Sequence, residues 1–148
     1  MNKFFTFFII LLSAFGQAVI AQSIASCTPS FGNAAYDTYI TNVQFGSINN
    51  SHNTTTGSPD YTYFNTQIAT VNQCQTYTLS VSSEVFGGSS NASAYIDFNA
   101  DGDFNDPGES FNLGEAGQTS TAQITIPETS PLTHVRLRIV VNENAAAG

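Results

Sequence analysis

Tryptophan is absent from this 148-residue chain, and Lys and Arg together number only 3 against 11 Asp and Glu. That scarcity of positive charge, at a formal net charge of −8, argues against nucleic acid and anionic membrane surfaces as partners, since both are held through cationic patches. It is compatible with cation binding and with the solubility a secreted protein needs. Helical periodicity is also lacking. So are Gly-x-Ser-x-Gly, His-Glu-x-x-His and Cys–His arrangements, which removes the common nucleophilic and zinc-peptidase sites. The two histidines, His52 in a polar loop and His134 at an outward strand position, read as surface residues.

Long apolar runs are missing after the first residues. Lys3 precedes an apolar stretch from Phe4 to Phe15, and Ala18 and Ala21 follow as small residues suited to cleavage. This is the pattern of a secretory signal peptide over residues 1–21. It is too short for a membrane span before Gln17 and Gln22 interrupt it. Once Lys3 is removed, Arg136 and Arg138 are the basic residues left. Residues 22–38 form a lead with little regular pattern, and residues 39–148 are long enough for one domain with its own core.

Cysteines number 2, Cys27 and Cys74. In an oxidising compartment an even count predicts a disulfide, worth about 4 kcal/mol in the loop-entropy account. Ile24-Ala25-Ser26-Cys27 also resembles a bacterial lipoprotein processing site. However, Gln22 and Ser23 separate it from the apolar core that such a site abuts, so the bridge is the favoured reading.

What the chain has in quantity is Val, Ile, Thr, Tyr and Phe, punctuated by Gly, Asn, Ser and Pro. This is the composition of an all-β domain. Alternation predicts a strand over 39–45 with Tyr39, Val43 and Phe45 on one face, then a polar loop over 46–59. A strand is expected over Tyr61–Asn65, with a possible partner near Gln67–Val71. Tyr77, Leu79 and Val81 alternate with Thr76, Thr78, Ser80 and Ser82, as in a half-buried strand. Further strands are expected over Ala94–Phe98, Phe111–Leu113 and Thr121–Ile126, the last with Ala122, Ile124 and Ile126 inward. A final strand turns Val135, Leu137, Ile139 and Val141 in and His134, Arg136 and Arg138 out. Short strands at this spacing predict an antiparallel β-sandwich, jelly-roll or immunoglobulin-like.

The most informative stretch is Asp97-Phe98-Asn99-Ala100-Asp101-Gly102-Asp103-Phe104-Asn105-Asp106-Pro107-Gly108-Glu109. Five of its side chains are carboxylates and none is basic. Two unit charges about 4 Å apart repel by about 4 kcal/mol at an effective dielectric near 20. Such a loop must therefore splay its acids into water or hold a cation. Asp97, Asn99 and Asp101 recur at every second residue, and Gly102 follows. That spacing matches the opening of a calcium loop, with side-chain oxygens at positions 1, 3 and 5 and Gly at 6. Asp103 and Asn105 continue the pattern. The closing acid is displaced: Gly108 occupies position 12, and Glu109 comes one residue later. The predicted metal set is Asp97, Asn99, Asp101, Asp103, Asn105 and Glu109, with calcium as a structural ion. The bland alternative is a solvated turn whose Asp and Asn side chains bond their own backbone.

Tyr39-Ile40-Thr41-Asn42-Val43, Ser47-Ile48-Asn49-Asn50-Ser51, Asp60-Tyr61-Thr62, the acidic block from Tyr95 to Glu109, and Val135-Arg136-Leu137-Arg138 occur in that order. Over residues 36–141 this resembles the GEVED domain, a module of secreted bacterial proteins. The acidic block is similar to the family pattern W-I-D-x-N-x-D-G-x-F-x-D-x-G-E, with Tyr95 at the Trp position. The Gly-Glu-Val-Glu-Asp signature expected after the last Arg-bearing strand is not in this sequence, so the chain is expected to be a fragment. The resemblance implies a β-sandwich accessory domain of larger secreted proteins, some with peptidase or adhesive regions.

Together these features predict a non-catalytic, calcium-stabilised binding or adhesion module. It would be secreted or on the cell surface, with an extracellular protein or glycan as partner. Two alternatives stand beside it. One is a carbohydrate-binding module stacking sugars on Tyr61, Tyr63, Phe64, Phe98 or Phe104, which the absence of Trp and the usual burial of alternating aromatics weaken. The other is a fragment of a secreted peptidase or other hydrolase. Paired carboxylates can cleave glycosides, but here the acids crowd one loop at metal-like spacing.

Overall fold

In a computed structural model, residues 38–51, 61–85 and 89–143 are described. The expected signal peptide, most of the N-terminal lead, Cys27 and His52 lie outside these residues. The described chain forms seven strands: β1 (Thr38–Phe45), β2 (Ile48–Ser51), β3 (Thr76–Val85), β4 (Ser90–Ile96), β5 (Ser110–Glu115), β6 (Thr119–Thr125) and β7 (Leu137–Glu143). They build two sheets, in the orders β2-β1-β3-β6 and β5-β4-β7. Every pairing is antiparallel. The fold is therefore the all-β sandwich that the alternation predicts.

The core lies between the sheets. Leu79, Val81 and Ile124 from one sheet meet Ala92, Ala94, Ile96 and Leu113 from the other, all buried. Val135, Leu137, Ile139 and Val141 pack against this cluster on the side the alternation assigned them. Ala92 and Ala94 on β4, the middle strand of its sheet, are small residues buried in this core. Tyr77 meets Phe45 edge to face, with ring centroids 6.1 Å apart, a favoured aromatic geometry.

Three local expectations are corrected. First, Ile40 rather than Tyr39 joins Val43 and Phe45 against the core. The register passes from Ile40↔Ser83 to Asn42↔Ser82, so Thr41 is an extra residue in β1. One extra residue reverses the facing of everything before it, and the Tyr39 hydroxyl instead donates to Glu84 Oε2 at 2.9 Å. Second, Ile48–Ser51, read as loop, is the edge strand β2. Its polar residues are held from β1 by Asn42 Nδ2, which donates to Asn49 Oδ1 and Ser51 Oγ at 2.9 and 3.0 Å. Third, neither 61–65 nor 67–71 is a strand. Ala69 and Val71 still pack on the core, and the Ser47 hydroxyl ties this segment to the β1–β2 turn by donating to the Ile68 carbonyl at 3.3 Å.

Candidate metal centre

The acidic stretch is the tip of the β4–β5 hairpin. Tyr95 pairs with Ser110, and the Ile96 amide donates to the Glu109 carbonyl at 2.9 Å, closing the ladder below the loop. The Asp97 amide donates to the Arg136 carbonyl at 3.1 Å, fixing the loop's first residue to the chain leading into β7. Phe98 and Phe111 stand edge to face beneath it, 6.3 Å between centroids. The loop therefore grows from a packed base.

The expected ligand residues fall into two groups. Asp97 and Glu109 form the neck and are almost fully buried, at 1% and 2% exposure. Asp97 Oδ1 accepts the Asp101 amide at 3.2 Å and Oδ2 accepts the Gly102 amide at 3.1 Å. Glu109 Oε1 accepts the Phe98 amide at 2.7 Å, while Oε2 is buried with no hydrogen-bond partner among the described residues. Burial raises the Glu109 carboxyl above its ordinary value. The Phe98 and Asn99 amides oppose that shift, and the charges of Asp97 and Asp106 add to it.

The second group is exposed. Carboxylate oxygens of Asp101, Asp103 and Asp106 all lie within 4.8 Å of one another. Asp106 was not in the predicted set; its three-residue spacing from Asp103 is the signal that points to it. Asn99 joins the group through its amide: Nδ2 donates to Asp101 Oδ2 at 2.9 Å and to Asp106 Oδ2 at 2.7 Å. Asn105 enters through its backbone, donating to Asp103 Oδ1 at 2.8 Å. The Asp101 carboxyl lies below its ordinary value, first because it accepts the Asp103 amide and next because of the Asn99 side chain.

Two residues give the loop its sharp path. Gly102 has φ +100°, a conformation open to glycine and strained for other residues. Ala100 sits at φ +60° without that freedom, a local strain of order 1–2 kcal/mol.

The donor set is all oxygen, which suits a hard cation such as calcium or magnesium rather than zinc. The three exposed carboxylates of Asp101, Asp103 and Asp106 form the converging group, and Glu109 stays apart from it in the buried neck. An open cavity of ≈ 450 Å³ adjoins it, shared by Asn99, Asp106, Glu109 and Phe111 with Thr125 and Pro127.

The rest of the molecule adds two contacts to the loop's aromatic. Phe104 lies tilted against Tyr95 with ring centroids 5.8 Å apart and receives the Arg138 guanidinium 4.8 Å above its ring. The strand face read as solvated thus holds the loop's aromatic.

Residues 91–148 match the sequence model of the GEVED domain. The GEVED match takes in the whole acidic hairpin and the strand bearing Arg138, and it points to an accessory domain. Neither a curated protein nor a solved structure matches the chain. Among the described residues no helix is long and apolar enough to cross a membrane. Cys74 is exposed, and its expected bridge to Cys27 lies outside the described residues.

Proposed function

We propose that this protein is a non-catalytic accessory module of a secreted bacterial protein, acting in extracellular binding or adhesion, whose acidic hairpin is locked by a structural calcium ion. The observation that carries this reading is the convergence of Asp101, Asp103 and Asp106 within 4.8 Å at the tip of a hairpin whose base is packed. Three carboxylates so close repel one another without a cation. An ion there removes that repulsion and fixes the neighbouring loops for a protein or glycan partner. Extracellular modules use such sites at affinities on the order of 10⁻⁴–10⁻³ M.

The test is thermal unfolding of the purified protein with calcium, with magnesium and with chelator. A melting temperature that rises with calcium specifically, and no longer does so in Asp101→Ala, supports the reading. No shift at millimolar calcium sinks it.

A second reading has one observation in its favour. Tyr63 and Phe64 are 66% and 39% exposed, although aromatics in this stretch were expected to be core. Adjacent exposed rings suit stacking on a sugar. Glycan binding that survives chelation and is lost in Tyr63→Ala favours this role over the calcium-dependent one.

A further inference from the structure

The outward positions of the four-stranded sheet line up in rows. Asn42 of β1 pairs with Ser51 of β2 and Ser82 of β3, and Ser82 pairs with Thr119 of β6. The next row runs Asn49, Gln44, Ser80, Thr121 across the same four strands. Two shorter rows follow toward the start of β3, Thr78 with Gln123 and Thr76 with Thr125. Neighbours within a row lie about 4.8 Å apart and successive rows about 7 Å apart, by the geometry of an antiparallel sheet. Every side chain in these rows is Ser, Thr, Asn or Gln. None carries a charge, and none offers a large apolar surface.

The rows are also held in place by bonds from strand to strand. The hydroxyls of Thr76 and Thr125 are 2.8 Å apart, as are those of Ser82 and Thr119. Gln123 Nε2 donates to Thr78 Oγ1 at 2.9 Å, and Asn42 Nδ2 donates to Ser51 Oγ at 3.0 Å. A hydroxyl has one donor and two acceptor sites, so each keeps capacity for a guest. Ordering side chains in advance lowers the entropy cost of binding. At the β6 edge this face meets the cavity of ≈ 450 Å³, which Gln123 and Thr125 line together with Phe111 and Pro127. That volume falls within the range of small-ligand pockets, about 300–1,000 Å³.

The chemistry of the face selects its partner. A protein partner is held through an apolar interface core, which these rows lack. Nucleic acid and anionic surfaces are held through cations, which they lack as well. Fixed rows of hydroxyls and amides match a chain that repeats hydroxyls and carries no charge. In the cavity, Phe111 and Pro127 add an apolar wall for the C–H face of a sugar ring.

We propose that the outer face of the β2-β1-β3-β6 sheet, with the cavity at its β6 edge, is a binding surface for a neutral polysaccharide. The proposal rests on the glycan side of the reading above and gives it a ligand class and a place of its own, independent of the calcium ion and of Tyr63. Each hydrogen bond to a sugar replaces one to water, so a single contact adds little net affinity. A long polymer engages several rows at once and gains by effective concentration.

The experiment is retention of the purified protein on cellulose, chitin and starch as neutral polymers, with alginate as the anionic control. It is run in chelator and in calcium. The expected result is retention on at least one neutral polymer, equal in chelator and in calcium, and none on alginate. Thr121→Glu, in the middle of the face, should weaken retention by about tenfold, since the new charge must be desolvated against uncharged hydroxyls. Gln123→Ala should weaken it by about fivefold, the scale of one net hydrogen bond. No retention on any neutral polymer overturns the proposal, as does retention undiminished in both variants. Retention lost in chelator or in Tyr63→Ala also overturns it and returns glycan binding to the sites described above. If Thr121→Glu fails to fold, Gln123→Ala decides.

Discussion

The backbone amide of Phe98 donates to Oε1 of Glu109 at 2.7 Å, joining the first turn of the acidic loop to its last residue. The bond leaves Glu109 buried, and burial holds its carboxyl above the ordinary value of 4.5. The folded protein therefore binds this proton more tightly than the unfolded chain does. Between 4.5 and the raised folded value the native state carries more protons, so stability falls as pH rises through that window. Asp101 acts in the opposite sense. Its folded value lies below 3.8, so its contribution is complete above pH 3.8 and is lost as pH falls through the folded value. In chelator, urea unfolding of Glu109→Gln should lack the decline above pH 4.5 that the unaltered protein shows. Identical pH profiles would show that Glu109 titrates alike in both states.

Arg138 over Phe104, with Tyr95 beside it, predicts a mechanical role for the loop's aromatic. A cation over a ring at an exposed site contributes about 0.5–1 kcal/mol, and an aromatic pair about 0.5–1.5 kcal/mol. Phe104→Ala should therefore lower stability by roughly 1–2 kcal/mol. Hydrogen exchange should accelerate at the Asp103 and Asn105 amides while β3 stays protected. If exchange rises uniformly across the fold, the ring is core packing and not a clip for the loop.

Much of the fold could be read from the sequence because burial imposed a clean period of two. Tyr77, Leu79 and Val81, Ala122, Ile124 and Ile126, and the inward set from Val135 to Val141 all kept their assigned faces. The acidic block could be placed at a hairpin tip because strands flank it on both sides. Alternation fails where backbone or side-chain hydrogen bonds decide. Thr41 is inserted into the β1–β3 ladder with no signature of its own. The residues Ile48–Ser51 look like a loop because β2 is an edge strand, tied through Asn42 rather than through apolar burial. In the site, a calcium-loop template gave every acid but Asp106, and not their division. Asp97 and Glu109 turn to backbone amides in the neck, and Asp106 takes a place in the exposed group that the template gives to neither.

Ala100 and Gly102 make a paired prediction about backbone strain. Ala100 has φ +60°, where glycine is at ease, so Ala100→Gly should stabilise the protein by up to about 1 kcal/mol. Gly102 has φ +100° and open space where a Cβ would lie. Gly102→Ala should therefore destabilise by about 1–2 kcal/mol through conformation alone, without a clash. Chemical unfolding in chelator measures both. No change in either variant would mean that the Asp101 and Gly102 amide bonds to Asp97, and not these dihedrals, set the loop's path.

Asp103 separates the two consequences of crowding acids at one tip. Its Oδ1 accepts the Asn105 amide at 2.8 Å, and an asparagine oxygen can accept the same bond. Asp103→Asn therefore keeps the turn and removes one charge from a group whose oxygens lie within 4.8 Å. In chelator the loss of repulsion should raise the melting temperature by about 1–3 °C, the scale of an exposed charge interaction. In calcium the same substitution removes a charged ligand, and the calcium-induced rise should shrink. The two effects have opposite signs, so the variant and the unaltered protein should cross in stability as calcium is added. Parallel curves that never cross would mean that the acids repel one another but hold no ion.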